Sequence, residues 1–397
     1  MANVLAVNAG SSSLKFQLFN MPEENVVTSG VVERIGLDDG IFTIRYGDQK
    51  KEIKQPILDH QVAVDMLLEL LVSEGIVKEL NEIDAVGHRM VHGGEYYSDS
   101  VVVNEDVVET VTQFNELAPL HNPANLVGLR AFQKALPEAG HVFVFDTAFH
   151  QTMPEENYLY PLPYEYYTDL KVRRYGFHGT SHKYVSEVAL QMLGNPKHSK
   201  VIVCHLGNGA SISAIKDGIC LDTSMGFTPL DGIMMGTRSG EVDPSIMPYL
   251  ISKLNSTPDE MLEVYNKKSG MLGISGISSD ARDIENAYKK GDKQAILTSK
   301  IYARRIAKYI GQYFVELGGC DAIVFTAGVG ENSAYLRKMI VDDIKEAFDI
   351  VLDEESNNTR QAGNRIISKD NSKMKIMIIP TNEEVMIARD TVRLLNL

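Results

Sequence analysis

One pattern occurs twice in the chain and limits the possible folds more than any other. An apolar strand, a turn of glycine and small polar residues, and an alternating strand make up both LAVNAGSSSLKFQLF (5–19) and VIVCHLGNGASISAI (201–215). A second pair follows in the same order, IDAVGHRMVHGGE (83–95) and CDAIVFTAGVGEN (320–332), each with an Asp-Ala, an apolar strand and a glycine turn. Strand-turn patterns also recur by chance, but two similarities in register favour a duplicated domain.

Helical periodicity alternates with these strands. The segments HQVAVDMLLELLVSEGI (60–76) and SKIYARRIAKYIGQYFVELGG (299–319) space their apolar residues as helices do. A chain of 397 residues is long for one hydrophobic core, and its 44% hydrophobic and 23% charged residues are ordinary for a globular protein. The sequence therefore predicts an α/β protein with two domains.

The stretch between the two halves, TMPEENYLYPLPYEYY (152–167), is rich in proline and tyrosine. It has two open interpretations. It is either the region of the domain junction or a surface loop whose tyrosines pack locally.

Charge and cysteine content exclude several classes of protein. A net charge of -14 argues against a surface for nucleic acid or anionic membrane, because both need clustered Lys and Arg. The N-terminus has no basic residue ahead of its short apolar run, and no apolar stretch approaches a membrane span, so neither a signal peptide nor a membrane segment is expected. Three cysteines without metal-ligand spacing are typical of a reducing compartment, and we expect the cytoplasm.

The glycine-rich segments are candidates for phosphate binding. The first is not a Walker loop, because Leu14 precedes Lys15 and Phe16 follows it. Turns such as GSSS and GNGAS can still aim consecutive backbone N–H groups at phosphate oxygens. A single such turn is more often an ordinary hairpin. Three of them, NAGSSSLK, HLGNGAS and TAGVGEN, each at the end of an apolar strand, favour a nucleotide site.

Acidic and basic residues at strand ends suggest ligands for an anion or a cation. Asp146 follows the apolar run HVFVF, where its carboxylate is either a ligand for Mg²⁺ or substrate, or a turn cap. Arg89 and Arg238 lie in glycine-flanked segments and suit a bidentate clamp on carboxylate or phosphate. The histidine pairs in GHRMVH (87–92) and GFHGTSH (176–182) lack the glutamate of a zinc helix, so zinc is disfavoured.

Nine motifs taken together resemble the acetate kinase (acetokinase) family. They are NAGSSSLK, GHRMVHGG, FDTAFH, YGFHGTSH, HLGNGAS, DTSMGFTPLDG, GTRSGEVDP, TAGVGEN and PTNEE, and they run the length of the chain in the family's order. The resemblance implies an α/β fold of two duplicated ribonuclease-H-like (actin-type ATPase) domains, with the active site in the interdomain cleft. It implies an N-terminal domain of residues 1–149 and 385–397, a C-terminal domain of residues 150–384, and a homodimer whose interface lies in the C-terminal domain.

The resemblance also implies roles for individual residues. It implies a catalytic set of Arg89, Asp146, His178 and Arg238, and a pocket for the substrate methyl group formed by Val91, Leu120, Phe177 and Pro229. It implies a phosphate hairpin of Ser11, Ser13 and Lys15, and Mg²⁺ (or Mn²⁺) supported by Asn8 and Glu383. The implied ATP site is formed by His205, Leu206, Gly207, Asn208, Gly209, Asp280, Ala281, Arg282, Gly328, Val329, Gly330, Glu331 and Asn332. Two residues depart from the family's commonest pattern, Asp231 in place of Glu and Glu241 in place of Asp or Asn.

The implied reaction is reversible, direct in-line transfer of the γ-phosphoryl group of ATP to acetate, which gives acetyl phosphate and ADP. A carboxylic acid is already ionised at pH 7, so no general base is needed, and catalysis rests on positioning and charge stabilisation. We expect Asp146 to organise Mg²⁺ and arginine. Val91 stands two residues after Arg89, so in a strand both would face one side, and a stiff valine there would favour acetate over propionate.

Two alternatives stay open. Within the enzyme class, the same residues suit a propionate or butyrate kinase. In another class, an actin-like or Hsp70-like ATPase module shares the fold. The expected end of the chain at Leu397, directly after PTNEEVMIARDTVRLL, leaves no room for a peptide-binding domain and argues against the second alternative.

Overall fold

The chain forms two compact units. The computed structural model describes residues 1–119 and 121–397. One unit comprises Met1–Gln151 together with Asn382–Leu397, and the other comprises Thr152–Thr381. We refer to them as unit 1 and unit 2.

The strands and helices have the following bounds. The strands are β1 Ala2–Ala9, β2 Ser13–Met21, β3 Asn25–Glu33, β4 Leu37–Tyr46, β5 Gln49–Ile57, β6 Ala85–Met90, β7 Val101–Val102, β8 Gly140–Phe145, β9 Lys200–Leu206, β10 Ala210–Lys216, β11 Ile219–Thr223, β12 Ala322–Thr326, β13 Arg365–Ile366 and β14 Lys375–Ile378. The α-helices are α1 His60–Ser73, α2 Glu105–Thr112, α3 Asn122–Ala135, α4 Glu155–Tyr158, α5 Glu165–Leu170, α6 Gly179–Met192, α7 Ile246–Leu254, α8 Pro258–Lys267, α9 Gly270–Ser275, α10 Ala281–Lys289, α11 Lys293–Leu317, α12 Ala327–Asn332, α13 Ala334–Phe348, α14 Glu354–Asn358 and α15 Glu383–Leu395. Short 3₁₀ turns cover Leu80–Glu82, Gln113–Glu116 and Ala148–Thr152.

The two sheets share one strand order. Unit 1 contains β5-β4-β3-β2-β1-β6-β8-β7, and unit 2 contains β11-β10-β9-β12-β14-β13. In both, an antiparallel hairpin leads to two parallel strands and then to a two-residue antiparallel edge strand. Unit 1 differs by the two extra strands β4 and β5. This correspondence confirms the duplicated α/β fold predicted from the repeated pattern.

The alternating side chains of β2 show why this segment forms a strand. Leu14, Phe16 and Leu18 are at most 1% exposed and join the apolar core against which α1 packs, while Lys15 between them is exposed. A period of two buries one face and leaves the other to solvent. The sequence of α1 repeats its apolar residues with helical spacing, and Asp59 caps it by accepting the N–H of Val62.

The third glycine-rich segment is an exception to the sequence prediction. TAGVGEN was expected to form a turn, but its residues 327–332 form the short helix α12 directly after β12. Arg337 donates from Nη1 to the carbonyl oxygens of Gly330 and Glu331, both at 2.9 Å. These bonds satisfy carbonyls at the helix end, which a local reading of the glycines cannot anticipate.

The proline- and tyrosine-rich stretch packs locally. Tyr158 and Tyr167 lie with ring centroids 5.6 Å apart, and Tyr164 lies 5.7 Å from Tyr167. Unit 2 begins at Thr152, the first residue of this stretch. Among the residues that the structure describes, no helix has the length and apolar character that crossing a membrane requires, and this includes the 25-residue α11.

Candidate active site

In unit 1, Arg89 and Asp146 form a bidentate ion pair. Arg89 lies near the end of β6, and Asp146 comes directly after the parallel neighbour β8. Arg89 donates from Nε to Asp146 Oδ1 at 2.8 Å and from Nη2 to Oδ2 at 2.5 Å. The same guanidinium donates from Nη1 to Asn8 Oδ1 at 3.2 Å. Asp146 is 1% exposed, and the charge-assisted hydrogen bonds from Arg89 compensate the burial of its carboxylate.

The charges of this cluster oppose and reinforce one another. Burial alone would lower the pKa of Arg89, but the Asp146 carboxylate outweighs this and leaves the pKa raised. Burial raises the pKa of Glu383 to about 7; Arg89 and Lys15 oppose this rise, whereas Asp146 and Glu384 add to it. Glu383 begins α15, whose cap is the Asn382 side chain accepting the N–H of Val385. Unit 1 therefore brings the carboxylates of Asp146, Glu383 and Glu384 near the cations of Arg89 and Lys15.

The first glycine-rich hairpin places Lys15 beside this cluster. Asn8 and Lys15 are directly paired across β1 and β2. Gly10 N–H donates to the Ser13 carbonyl at 2.8 Å, and a ring nitrogen of His60 lies 2.7 Å from the Gly10 carbonyl. Ser11 is exposed and Ser13 is half-buried. These two contacts of Gly10 hold the turn in place, and Lys15 stays exposed to solvent.

Val91 does not lie in the strand that the sequence argument assumed. Strand β6 ends at Met90, and Val91 is in a bend. Its N–H donates to Asn125 Oδ1 at 3.3 Å, and the next N–H, from His92, donates to Asn122 Oδ1 at 3.1 Å. Because these side chains replace strand partners, the alternation that related Val91 to Arg89 does not apply, and that argument was wrong. Val91 is nevertheless 3% exposed.

In unit 2, three predicted residues lie together. A methyl group placed on Gly209 would lie 3.4 Å from Arg238 Nη1 and 3.5 Å from His178 Nε2. His178 has a positive φ of 59° directly before α6, a conformation that costs energy for a non-glycine residue. Its Nδ1 lies 2.9 Å from Ser211 Oγ, and its ring stacks on His205 with centroids 4.1 Å apart. The imidazole is thus held with Nε2 toward Gly209 and Arg238.

Arg238 has a different environment from Arg89. Its Nη1 donates to the Pro229 carbonyl at 3.3 Å and approaches the Met235 sulfur at 3.8 Å. Burial lowers the pKa of Arg238. Within the described part of the chain, no carboxylate forms an ion pair with this guanidinium. A desolvated cation of this kind attracts a ligand anion strongly.

A pocket of about 670 Å³ lies in unit 2. Eight predicted ATP-site residues line it, namely Gly207, Asn208, Asp280, Ala281, Arg282, Gly328, Val329 and Asn332. Other predicted ATP-site residues lie elsewhere: His205 stacks on His178, Leu206 and Gly330 are buried, Gly209 faces Arg238, and Glu331 Oε1 accepts the N–H of Thr381 at 3.3 Å. The volume and the mixed lining suit a nucleoside.

The sequence analysis missed six residues that also line the pocket: Gly236, Met271, Ser279, Glu285, Ser333 and Arg360. Gly236 lies within the quoted motif GTRSGEVDP but was not assigned to the ATP site. Ser279 and Ser333 directly adjoin assigned residues, so extending those two segments by one position would have found them. Met271, Glu285 and Arg360 come from elements distant in sequence. No local signal marks them.

The predicted acyl-pocket residues are distributed over both units. Val91 belongs to unit 1, whereas Phe177, 3% exposed, and the half-buried Pro229 belong to unit 2. Leu120 lies outside the described residues. The two departures from the family pattern have partners of their own, since Asp231 accepts from Tyr160 at 3.3 Å and Glu241 accepts from Tyr309 at 2.9 Å.

His88 of the motif GHRMVH contacts a histidine of the neighbouring strand β8. A ring nitrogen of His88 lies 2.9 Å from one of His141, and both histidines are buried. Across residues 1–119 and 121–397, no group of three or more His, Cys, Asp and Glu side chains could hold a metal ion. Mg²⁺ has smaller demands, because it is usually bound by one or two carboxylates together with substrate phosphates. Glu383, at the start of α15 in unit 1, offers one such carboxylate.

Two sheets of one strand order, each with a glycine-rich hairpin, define a duplicated actin-type ATPase fold. Comparison with known proteins specifies the family. The acetokinase family model matches residues 3–389, and the chain belongs to this family. It is 56% identical over 398 residues to an acetate kinase of Geobacillus sp. (strain WCH70), with both chains covered in full.

Two solved structures are similar throughout their length. The crystal structure of Porphyromonas gingivalis acetate kinase superposes with a TM-score of 0.95 at 46% identity and covers 100% of both chains. A propionate kinase from Francisella tularensis superposes with a TM-score of 0.93 at 43% identity, covering 99% of this chain and 100% of that one. The fold predicted from the motifs is confirmed.

Proposed function

We propose that the protein transfers the γ-phosphoryl group of ATP to acetate, reversibly and by direct in-line transfer, giving acetyl phosphate and ADP. Family membership over nearly the whole chain supports the reaction class. The observation that carries the proposal is the grouping of Arg238 and His178 around Gly209, in which a desolvated guanidinium has no carboxylate partner among the described residues. Such a group suits the charge that develops on a transferring phosphoryl group.

Acetate needs no activation by a base. Its pKa lies far below 7, so the attacking oxygen is already anionic. Asp146 accepts two hydrogen bonds from Arg89, which makes it an orienting group for that guanidinium. The work of the protein is then to bring two anions together and to absorb their charge, which Arg89, Arg238, Lys15 and His178 supply.

The nucleotide part of the proposal concerns the pocket of unit 2. Its lining by Gly207, Asn208 and residues 280–282 supports binding of the adenosine of ATP or ADP. We assign the nucleotide to unit 2 and the first phosphate hairpin to unit 1.

We propose Mg²⁺, or Mn²⁺, as the metal cofactor. When bound, the ion would neutralise charge on the nucleotide phosphates. Asn8 and Glu383 would support it, with Asp146 contributing through Arg89 and through its own charge. Asp146 and Glu384 both raise the pKa of Glu383, and a bound divalent cation would offset the negative charge of these carboxylates.

One experiment tests the function directly. Purified protein is incubated with Mg-ATP, a short carboxylic acid and hydroxylamine, which traps acyl phosphate as the hydroxamate. We expect product with acetate and less with propionate and butyrate. A larger yield with propionate would favour the alternative of a propionate kinase, which is how the similar Francisella tularensis structure is described. ATP hydrolysis that is indifferent to acetate, without hydroxamate, would instead indicate an ATPase module.

We further propose a homodimer in the cytoplasm. Helix α7, with the sequence IMPYLISKL, has no buried residue, and Tyr249 and Leu254 are 62% and 63% exposed. An apolar helix this exposed marks an interaction surface in unit 2. Light scattering should give a dimer mass, and Tyr249→Lys should shift it toward the monomer. The three cysteines form no disulfide, in keeping with a reducing compartment.

A further inference from the structure

Arg174 lies four residues before His178 and binds backbone in unit 2. Its Nη1 donates to three consecutive carbonyl oxygens, those of Thr223 at 2.7 Å, Ser224 at 3.0 Å and Met225 at 3.2 Å. The side chain is 18% exposed. A partly buried guanidinium that satisfies three carbonyls in a row fixes the path of the chain that carries them.

Two carboxylates extend this anchor over a longer segment. Arg174 Nε lies 3.7 Å from Asp222 Oδ1, and Nη2 lies 3.8 Å from Asp231 Oδ2. Tyr160 strengthens the far end, because its hydroxyl donates to Asp231 at 3.3 Å and accepts the N–H of Phe227 at 2.9 Å. The guanidinium therefore holds residues 222–231 near both ends.

The anchored segment leads to Arg238. Pro229 lies within it, and the Pro229 carbonyl accepts the hydrogen bond from Arg238 Nη1 at 3.3 Å. The position of that carbonyl helps to set the direction of the guanidinium.

The chain on the other side of Arg174 leads to His178. The Gly226 carbonyl accepts the N–H groups of Tyr175 at 3.1 Å and Gly176 at 3.4 Å, so the anchored segment also holds residues 174–178. Arg174 is thus the common anchor of the two stretches that present Phe177, His178 and Pro229.

We propose that Arg174 is a positioning residue for phosphoryl transfer, acting through the placement of His178 and Arg238. This inference rests on the proposed function and deepens it. Arg174 does not line the nucleotide pocket. Its contribution concerns the transfer step and the acyl group, and the affinity for ATP should be almost independent of it.

The expected effect follows from the geometry. A displacement of about 1 Å in a catalytic group can cost about 100-fold in rate. Arg174→Lys keeps the charge, but one ammonium group cannot reproduce the planar fork that reaches three carbonyls and two carboxylates. We expect kcat to fall about 10- to 100-fold and the KM for acetate to rise, with the KM for ATP changed by less than about twofold.

The experiment compares Arg174→Lys and Arg174→Ala with a matched control. Arg304→Ala removes an arginine of the same unit whose side chain is 65% exposed and paired with Asp343. Steady-state kinetics give kcat and both KM values, and near-UV circular dichroism gives the folded fraction for normalisation. Added millimolar guanidinium ion should restore part of the kcat of Arg174→Ala and leave Arg304→Ala unchanged.

Tyr160→Phe is a milder variant in case both Arg174 variants fold poorly. It releases the same segment without leaving a buried charge and should lower kcat in the same direction. The inference is overturned if kcat per folded molecule is normal in the variants that fold, or if the KM for ATP carries the whole loss. An unsubstituted protein that forms no acetyl hydroxamate would overturn the proposed function and this inference together, whereas an active protein with unaffected variants overturns the inference alone.

Discussion

Arg89 and Arg238, the two arginines predicted to bind anions, differ in the charge of the groups around them. Arg89 of unit 1 donates to both oxygens of Asp146, and a third bond goes to Asn8. In the described part of the chain, the guanidinium of Arg238 in unit 2 bonds instead to the Pro229 carbonyl and approaches the Met235 sulfur. The first guanidinium is neutralised and oriented by protein groups, whereas the second has no acidic partner among the described residues.

This difference predicts that the two arginines contribute unequally to the stability of the fold and to catalysis. A buried ion pair is costly to break, because the partner left behind is an uncompensated charge. A desolvated arginine without an acidic partner lowers the stability of the fold. Binding of an anion recovers part of that free energy. We therefore expect loss of Arg89 to affect both folding and activity, and loss of Arg238 to affect activity alone.

The largest effect is expected for Arg238→Ala. Loss of this guanidinium should lower kcat/KM for acetate about 10³- to 10⁴-fold, as loss of a cation on a transferring phosphoryl group does. The free energy of unfolding in urea should stay within about 0.5 kcal/mol of the parent value, because no buried carboxylate is left alone. The exposed Arg304→Ala serves as control for both measurements. Turnover near normal would remove Arg238 from the site.

Arg89→Ala should destabilise the protein itself. It leaves the carboxylate of Asp146, 1% exposed, without its partner, and the free energy of unfolding should fall by about 3 to 5 kcal/mol. The double variant Arg89→Ala with Asp146→Asn should recover part of this stability without recovering activity. Equal stabilities of Arg89→Ala and Arg238→Ala would show that the two arginines do not differ in the way described.

A buried histidine pair of unit 1, His88 and His141, makes the stability of the protein depend on pH. Burial lowers the pKa of His141 to about 4, and burial with the neighbouring His141 ring lowers the pKa of His88 well below its usual value. Both are neutral in the folded protein. Their contribution to the free energy of unfolding is therefore fully present above about pH 6.5 and is lost as pH falls toward 4. Between pH 7.5 and 5, His141 alone should account for a loss of about 2 kcal/mol.

Urea unfolding at these two pH values measures that loss. In His141→Gln the difference between pH 7.5 and 5 should shrink by about 2 kcal/mol, because glutamine does not titrate there. His198→Gln is the matched control, since the His198 side chain is 80% exposed. An unchanged pH difference in His141→Gln would show that this pair does not govern acid stability.

The smallest effect concerns Val91 and the choice of acid. Val91→Ala removes two methyl groups at a position 3% exposed, so the ratio of kcat/KM for propionate over acetate should rise about tenfold. Val107→Ala, in α2 of the same unit, is the control for a lost buried valine. If the ratio is the same in both variants, Val91 does not line the acyl pocket.

Local pattern accounts for the hairpins but not for the pairing of functional groups. The alternation of Leu14, Phe16 and Leu18 was enough to predict β2. That Arg89 meets Asp146 depends on β6 and β8 being parallel neighbours, 57 residues apart in the chain, which no local spacing encodes. The family's motif order supplied the fold that local reasoning alone left as two α/β domains.

The two errors have the same origin. Val91 lies beyond the end of β6, where its N–H donates to the side chain of Asn125, 34 residues later. Residues 327–332 are helical partly because Arg337 of the next helix binds their carbonyls. In both places a side chain distant from the local pattern decides the backbone conformation, and a prediction from adjacent residues has no access to it.

The cysteines give the molecule a built-in reporter of local opening. Cys204, Cys220 and Cys320 all belong to unit 2, and unit 1 contains none. Burial raises the pKa of each thiol, that of Cys320 to about 12, so the reactive thiolate is scarce while the unit stays closed. The rate at which a thiol reagent labels the native protein therefore measures how often unit 2 opens, independently of unit 1. Protection of these thiols by ADP would report nucleotide binding without any assay of turnover.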